Sequence, residues 1–148
     1  MEANSVMTRE VIVVPPELSL DVAWRVMQRR RIRHLPVVSS GILLGMLSDR
    51  DLLLCATLTD DGAIVAPPLP VATAMTLSPM TCTTESTVSS IAELMIERRI
   101  DAVPVVTSGD RIVGLVTSID LLALLIEKDG ARPLPLRFDV REGDEGDA

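Results

Sequence analysis

The chain has 148 residues, 47% of them apolar, and carries 14 basic against 21 acidic side chains for a net charge of −7. One Phe, one Trp and no Tyr provide too few platforms for stacking single-stranded bases, and the acidic balance makes nucleic acid an unfavourable partner. The longest apolar runs, such as residues 121–126, are too short to cross a bilayer, which argues against a membrane protein.

The first residues lack a basic region followed by an apolar one, so no secretory signal is expected there. Residues 11–14 are β-branched and predict an extended stretch. A helix capped by Ser19 follows. Its apolar stripe is Leu20, Ala23, Trp24 and Met27, at i, i+3, i+4 and i+7. Arg29 and Arg30 read as a solvated helix end, where cations suit the dipole. Two short strands, 35–38 and 43–47, flank a turn at Ser39-Ser40-Gly41, and a second helix is expected over 49–56. Residues 58–70 hold Asp60-Asp61-Gly62 and Pro67-Pro68 and read as a mobile or extended linker. The pattern then recurs: an extended stretch at 80–83, and a helix behind Thr87 with the stripe Val88, Ile91, Ala92 and Met95. Strands at 103–106 and 112–116 follow, then a helix over 118–128. Residues 129–148 form a C-terminal extension. Pro133 and Pro135 suggest extended chain over 130–138, and the acidic, Gly-containing end at 139–148 is expected to be disordered. Cys55 and Cys82 have no metal-ligand spacing, which fits a reducing cytoplasm without a structural disulfide.

The recurrence is a repeat. With Met7-Thr8 placed over Met75-Thr76, an offset of 68, Glu17 meets Glu85 and Met27 meets Met95. Arg30-Arg31-Ile32 then meets Arg98-Arg99-Ile100, and Pro36-Val37-Val38 meets Pro104-Val105-Val106. One extra residue near Asp110 moves the offset to 69, which pairs Gly45 with Gly114, Ser48 with Thr117 and Asp51 with Asp120. Each copy is a β-α-β-β-α unit, which leaves one sheet face short of cover. The expected fold is therefore α/β (α+β), with two repeats (1–57 and 71–128) packed sheet to sheet about a pseudo-two-fold axis.

Polar groups collect where each second strand meets its helix. Gly45 and Gly114 mark a close approach of chain or ligand. Ser48 and Thr117 open helices whose free N–H groups and dipole favour an anion. Asp51 and Asp120, one turn on, can accept the two hydroxyls of a ribose. The same spacing, Ser48-x-x-Asp51 and Thr117-x-x-Asp120, is also that of a capping box, and both roles stay open. The first repeat adds Arg33, His34 and Arg50 where the second has Asp101, Ala102 and Ile119. The Ser48, Arg50, Asp51 site is therefore expected to hold phosphate better. His34 alone is equally compatible with a turn residue. No nucleophile–base pair, metal-ligand cluster or Walker-type loop occurs, so no enzyme and no metal site are expected.

Residues 32–38 with 45–51, and 100–106 with 114–120, resemble the cystathionine β-synthase (CBS) domain family, and the likeness runs from about residue 7 to 128. The resemblance implies a paired module that binds AMP, ADP, ATP or S-adenosylmethionine between its repeats. It also implies phosphate and ribose contacts from Ser48, Thr117, Asp51 and Asp120. By the same analogy, Val13, Val14, Leu35, Thr81, Cys82 and Val103 are candidates for an adenine slot. Family modules commonly dimerise, and Leu52–Leu54 with Leu121, Leu122, Leu124 and Leu125 could supply a homodimer interface. Output would pass to an unknown regulated protein or through that dimer. An interaction scaffold with empty clefts is the alternative.

Overall fold

The computed structural model describes residues 1–129; the expectations for 130–148 lie outside the described residues. In chain order the elements are α1 (Ala3–Val6), α2 (Leu20–Arg30), β1 (His34–Ser39), β2 (Ile42–Ser48), α3 (Asp49–Cys55), β3 (Thr57–Leu58), β4 (Ile64–Val65), a 3-10 turn (Val71–Thr73), β5 (Thr76–Leu77), α4 (Val88–Arg98), β6 (Ala102–Thr107), β7 (Arg111–Thr117) and α5 (Ser118–Asp129).

Each hairpin alternates between two apolar surroundings, as side chains on a strand must. In β1 and β2, Leu35, Val37 and Leu47 join Leu20, Ala23, Met27 and Leu52 in a first core beneath α2 and α3. In β6 and β7, Val103, Val105 and Val116 join Ile91 and Met95 in a second core. The opposite faces meet at the seam. Met46 packs with Ala102 and Leu115, and Val38 and Leu43 pack with Val106. The hairpin tips also touch, where Ile42 pairs with Arg111, so the strands run in the order β1-β2-β7-β6. The extra residue of the second repeat is in its turn. Ser40-Gly41 closes the first hairpin, whereas Ser108-Gly109-Asp110 closes the second.

The predicted extended stretches shorten to single bridges, Val14 to Val37 and Cys82 to Val105. Proline is the cause. Val14 donates to the Pro36 carbonyl at 3.0 Å and accepts from Val38 at 2.9 Å. The next bonds on either side would need an N–H from Pro36 or Pro16, and neither has one. Pro104 limits the second ladder in the same way on one side only, since Thr84 stands at the place of Pro16. Thr87 caps α4 by accepting from the Ser90 N–H at 3.1 Å, but Ser19 makes no such bond. Its hydroxyl donates to Asp21 instead and holds that carboxyl below its usual range. The second repeat has Ser89 at that position and so offers no competing carboxylate. Within the linker, β3 and β4 form a small hairpin around Gly62, which takes a φ of 84°.

The lead-in segments are exchanged. Ala3 and Met7 pack into the second core, and Thr8 exchanges backbone bonds of 2.8 and 3.0 Å with Leu115. Reciprocally, Val71 lies in the first core and Thr76 pairs with Met46. The two glycines make room for this crossing. A methyl on Gly45 would lie 2.7 Å from the Thr76 carbonyl oxygen and 2.8 Å from Met75 Sδ, and one on Gly114 would lie 2.5 Å from Met7 Sδ. The close approach read from these glycines is therefore made by the chain itself.

Candidate functional site

Two clefts open along the seam, related by the repeat. One, of about 610 Å³, contains Ser48, Arg50 and Asp51 together with Arg99, Asp101 and Met80 from the second half. The other, of about 490 Å³, contains Thr117, Ile119 and Asp120 together with Glu10, Ile12 and Arg31 from the first half. Each cleft thus combines one repeat's helix tip with the other repeat's lead-in segment and helix end. Neither is complete without the fold-back of the chain.

The two helix tips are closed differently. Ser48 Oγ accepts from the Asp51 N–H at 3.1 Å, and Asp51 Oδ2 accepts from the Ser48 N–H at 3.0 Å, a reciprocal capping box. Asp120 Oδ2 accepts the Thr117 N–H at 2.8 Å and also its hydroxyl at 3.3 Å, while Thr8 donates to Asp120 Oδ1 at 3.3 Å. Ser48 and Thr117 therefore use their hydroxyls in opposite senses.

Arg33 and His34 lie between the clefts and line both. The Arg33 guanidinium bonds to Asp101, and its Nε lies 3.9 Å from Asp49 Oδ2. His34 Nε2 is 2.8 Å from Asp101 Oδ1. Positions 33 and 101 match in the repeat, so the pair joins equivalent positions across the pseudo-two-fold axis. The sign difference was legible in the aligned repeats, but its use as a bond was not evident without the fold.

The adenine-slot residues are placed elsewhere. Val14, Leu35, Cys82 and Val103 are buried in the two cores, Val13 is exposed and Thr81 half-buried, and none lines either cleft. Burial pushes the Cys82 thiol up to about 11. The apolar walls are built by Val11 and Ile12 in one cleft and by Pro79 and Met80 in the other.

Arg31 and Arg99 were not among the predicted site residues. Each follows its helix in the left-handed region at φ 53°, a place that favours Gly. Each faces the cleft of the opposite tip. The available signal was their equivalence in the repeat, where a residue usually replaced by Gly stays Arg twice.

A family model of the CBS domain matches residues 3–56 and 71–127. The chain belongs to the CBS domain family. It is a tandem CBS pair, and each matched segment begins with the lead-in that packs on the other repeat. A CBS domain-containing protein of Dictyostelium discoideum is 32% identical over 139 residues, which cover 84% of this chain and 90% of that one. An inosine-5'-monophosphate dehydrogenase of Korarchaeum cryptofilum is 32% identical over 119 residues, 80% of this chain but 23% of the enzyme. The chain spans about a quarter of the length of that enzyme. Among solved structures, the CBS pair of protein MJ0100, in complex with 5'-methylthioadenosine and S-adenosyl-L-methionine, has a TM-score of 0.75 at 26% identity and covers 86% of this chain and 98% of that one. The cytosolic domain of the Mg2+ channel MgtE in complex with ATP has a TM-score of 0.68 at 29% identity and covers 83% of this chain and 48% of that one.

Among the described residues no group of His, Cys, Asp and Glu could hold a metal ion, and no helix is long and apolar enough to cross a membrane.

Proposed function

We propose that this CBS pair is a non-catalytic regulatory module that binds an adenosine-bearing ligand, a nucleotide (AMP, ADP or ATP) or S-adenosylmethionine, in its seam clefts. The observation that carries the reading is that each cleft joins a polar helix tip to an arginine from the opposite repeat. The complexes of the MJ0100 pair and of MgtE with adenosine compounds support it.

In the Ser48 cleft, Arg50 and Arg99 hold phosphate oxygens, and the Ser48 hydroxyl donates to one of them. The cap engages Asp51 Oδ2, so Oδ1 accepts from a ribose hydroxyl. Met80 and Pro79 cover one face of the base. Thr117 and Asp120 take the corresponding places in the other cleft once a ligand displaces the Thr117 and Thr8 hydroxyls from Asp120, with Arg31 in place of Arg99 and no counterpart of Arg50. The signal leaves through a second copy of the chain or another protein in the cytoplasm. Leu53, Leu54, Ile119, Leu122 and Leu125 are exposed on α3 and α5, a face suited to either partner.

A thermal-shift screen with AMP, ATP, S-adenosylmethionine and NAD tests the reading. A ligand at a hundred times its dissociation constant adds about 2.7 kcal/mol to folded-state stability, which raises the melting temperature by several degrees. No rise with any of them leaves the interaction scaffold as the better account.

A further inference from the structure

The two clefts share one wall. Arg33, His34 and Asp101 line both of them, and Asp101 bonds to the other two. Asp101 takes Arg33 on one oxygen and His34, at 2.8 Å, on the other. Arg33 is largely exposed, with 64% of its side chain open to solvent, so it can turn towards either cleft. His34 is held at 13%. The wall therefore has one largely exposed cation, one carboxylate and one largely buried imidazole for two sites.

From this shared wall we infer that the two clefts are negatively coupled for phosphate-bearing ligands, with Asp101 as the coupling residue. The inference rests on the nucleotide reading above. A phosphate in either cleft recruits the Arg33 guanidinium, which matches phosphate oxygens as well as it matches a carboxylate. Asp101 then faces the other cleft with its Arg33 counter-charge withdrawn, and its negative charge offsets part of the attraction that the other cleft's own arginine offers a second phosphate. A ligand without a phosphate does not recruit Arg33 and does not meet this repulsion. By linkage the effect is reciprocal, whichever cleft fills first.

The test is calorimetric titration of the full chain with AMP and, separately, with adenosine. It is run on the wild type, Asp101→Asn and Arg33→Gln, each shown to be folded by a cooperative melt. The wild type should bind AMP in two steps, the second about tenfold weaker or more. Asp101→Asn should narrow that ratio by strengthening the weak step. Arg33→Gln should narrow it by weakening the tight step, because Asp101 then lacks its counter-charge from the start. A stoichiometry that rises from one AMP to two in Asp101→Asn is the limiting case and supports the coupling. His34 is the single histidine of the chain, so its imidazole NMR signals report on the wall directly and should move in both steps. An AMP ratio or stoichiometry unchanged in both variants, or a His34 signal that moves in neither step, overturns the coupling while nucleotide binding stands. Equal narrowing for adenosine also overturns it, since no phosphate is then involved. Absence of heat with AMP and adenosine overturns the coupling, and absence of any rise in melting temperature with ATP or S-adenosylmethionine as well sinks the nucleotide reading with it.

Discussion

Leu52 on α3 is fully buried, whereas its counterpart Leu121 on α5 is half-buried. The first core is filled by Leu20, Met27, Leu35, Leu47 and Leu52, all near zero exposure. The second relies on Ile91, Met95, Val103 and Val116, with Ala3 and Met7 brought in from the start of the chain. Duplication keeps the order of elements and the apolar pattern, and either set of side chains satisfies that pattern. The polar positions between the cores have diverged much further. Arg33 faces Asp101, His34 matches Ala102, and Arg50 matches Ile119. The lesson is that fold and ligand chemistry are carried by different positions of one repeat, so one can change while the other is kept.

The difference in packing gives the largest expected effect. Leu52→Ala should destabilise the chain by about 3 kcal/mol, and Leu121→Ala by about half of that, in equilibrium urea unfolding. Equal losses would remove the distinction between the cores. The two crossing glycines come next. Gly45→Ala places a methyl against the backbone oxygen of Thr76 and should cost about 2 kcal/mol. Gly114→Ala meets the Sδ, Cγ and Cβ of Met7, of which only the thioether end can move aside, and should cost somewhat less, about 1.5 kcal/mol. A larger loss at Gly114 would mean that Met7 is held more firmly than its thioether allows.

At the helix tips the contrast is in binding. Arg50→Ala should weaken AMP binding about tenfold by calorimetry, the scale of one charge-assisted contact. Ile119→Ala should leave it unchanged, and a loss there as large as that at Arg50 would contradict the charge argument. The smallest effect separates the two thiols. Cys55 is exposed and should alkylate readily at neutral pH, whereas Cys82 should react only as fast as the chain opens. The Cys82 thiol rises from an ordinary 9.0 to about 11 in the folded chain, so the folded form binds more protons between those values. Its contribution to stability is complete below about pH 9 and is lost as the pH rises towards 11, seen as a falling urea midpoint in the wild type but not in Cys82→Ala.

Much of this organisation was legible in the sequence, because it is written in short-range patterns. The stripe Leu20, Ala23, Met27 follows helical spacing, Ser40-Gly41 fits a tight hairpin, and the two copies could be aligned residue by residue. Ser48 and Asp51 could be assigned to a helix tip for the same reason. Even the spacing of the capping boxes was readable, although it could not say whether the hydroxyl accepts, as in Ser48, or donates, as in Thr117. What periodicity does not encode is which distant segment comes to lie against which. The exchange of Met7 and Met75 between cores, the bond from Arg33 to Asp101, and the placing of Arg31 and Arg99 at opposite tips all join parts of the chain remote in sequence. These contacts arise only when the uncovered sheet faces are buried together, because the hydrophobic drive that closes the seam is non-directional and leaves pairing across it to shape and charge. The repeated unit was thus decided locally, residue by residue, and the clefts by the geometry of closure.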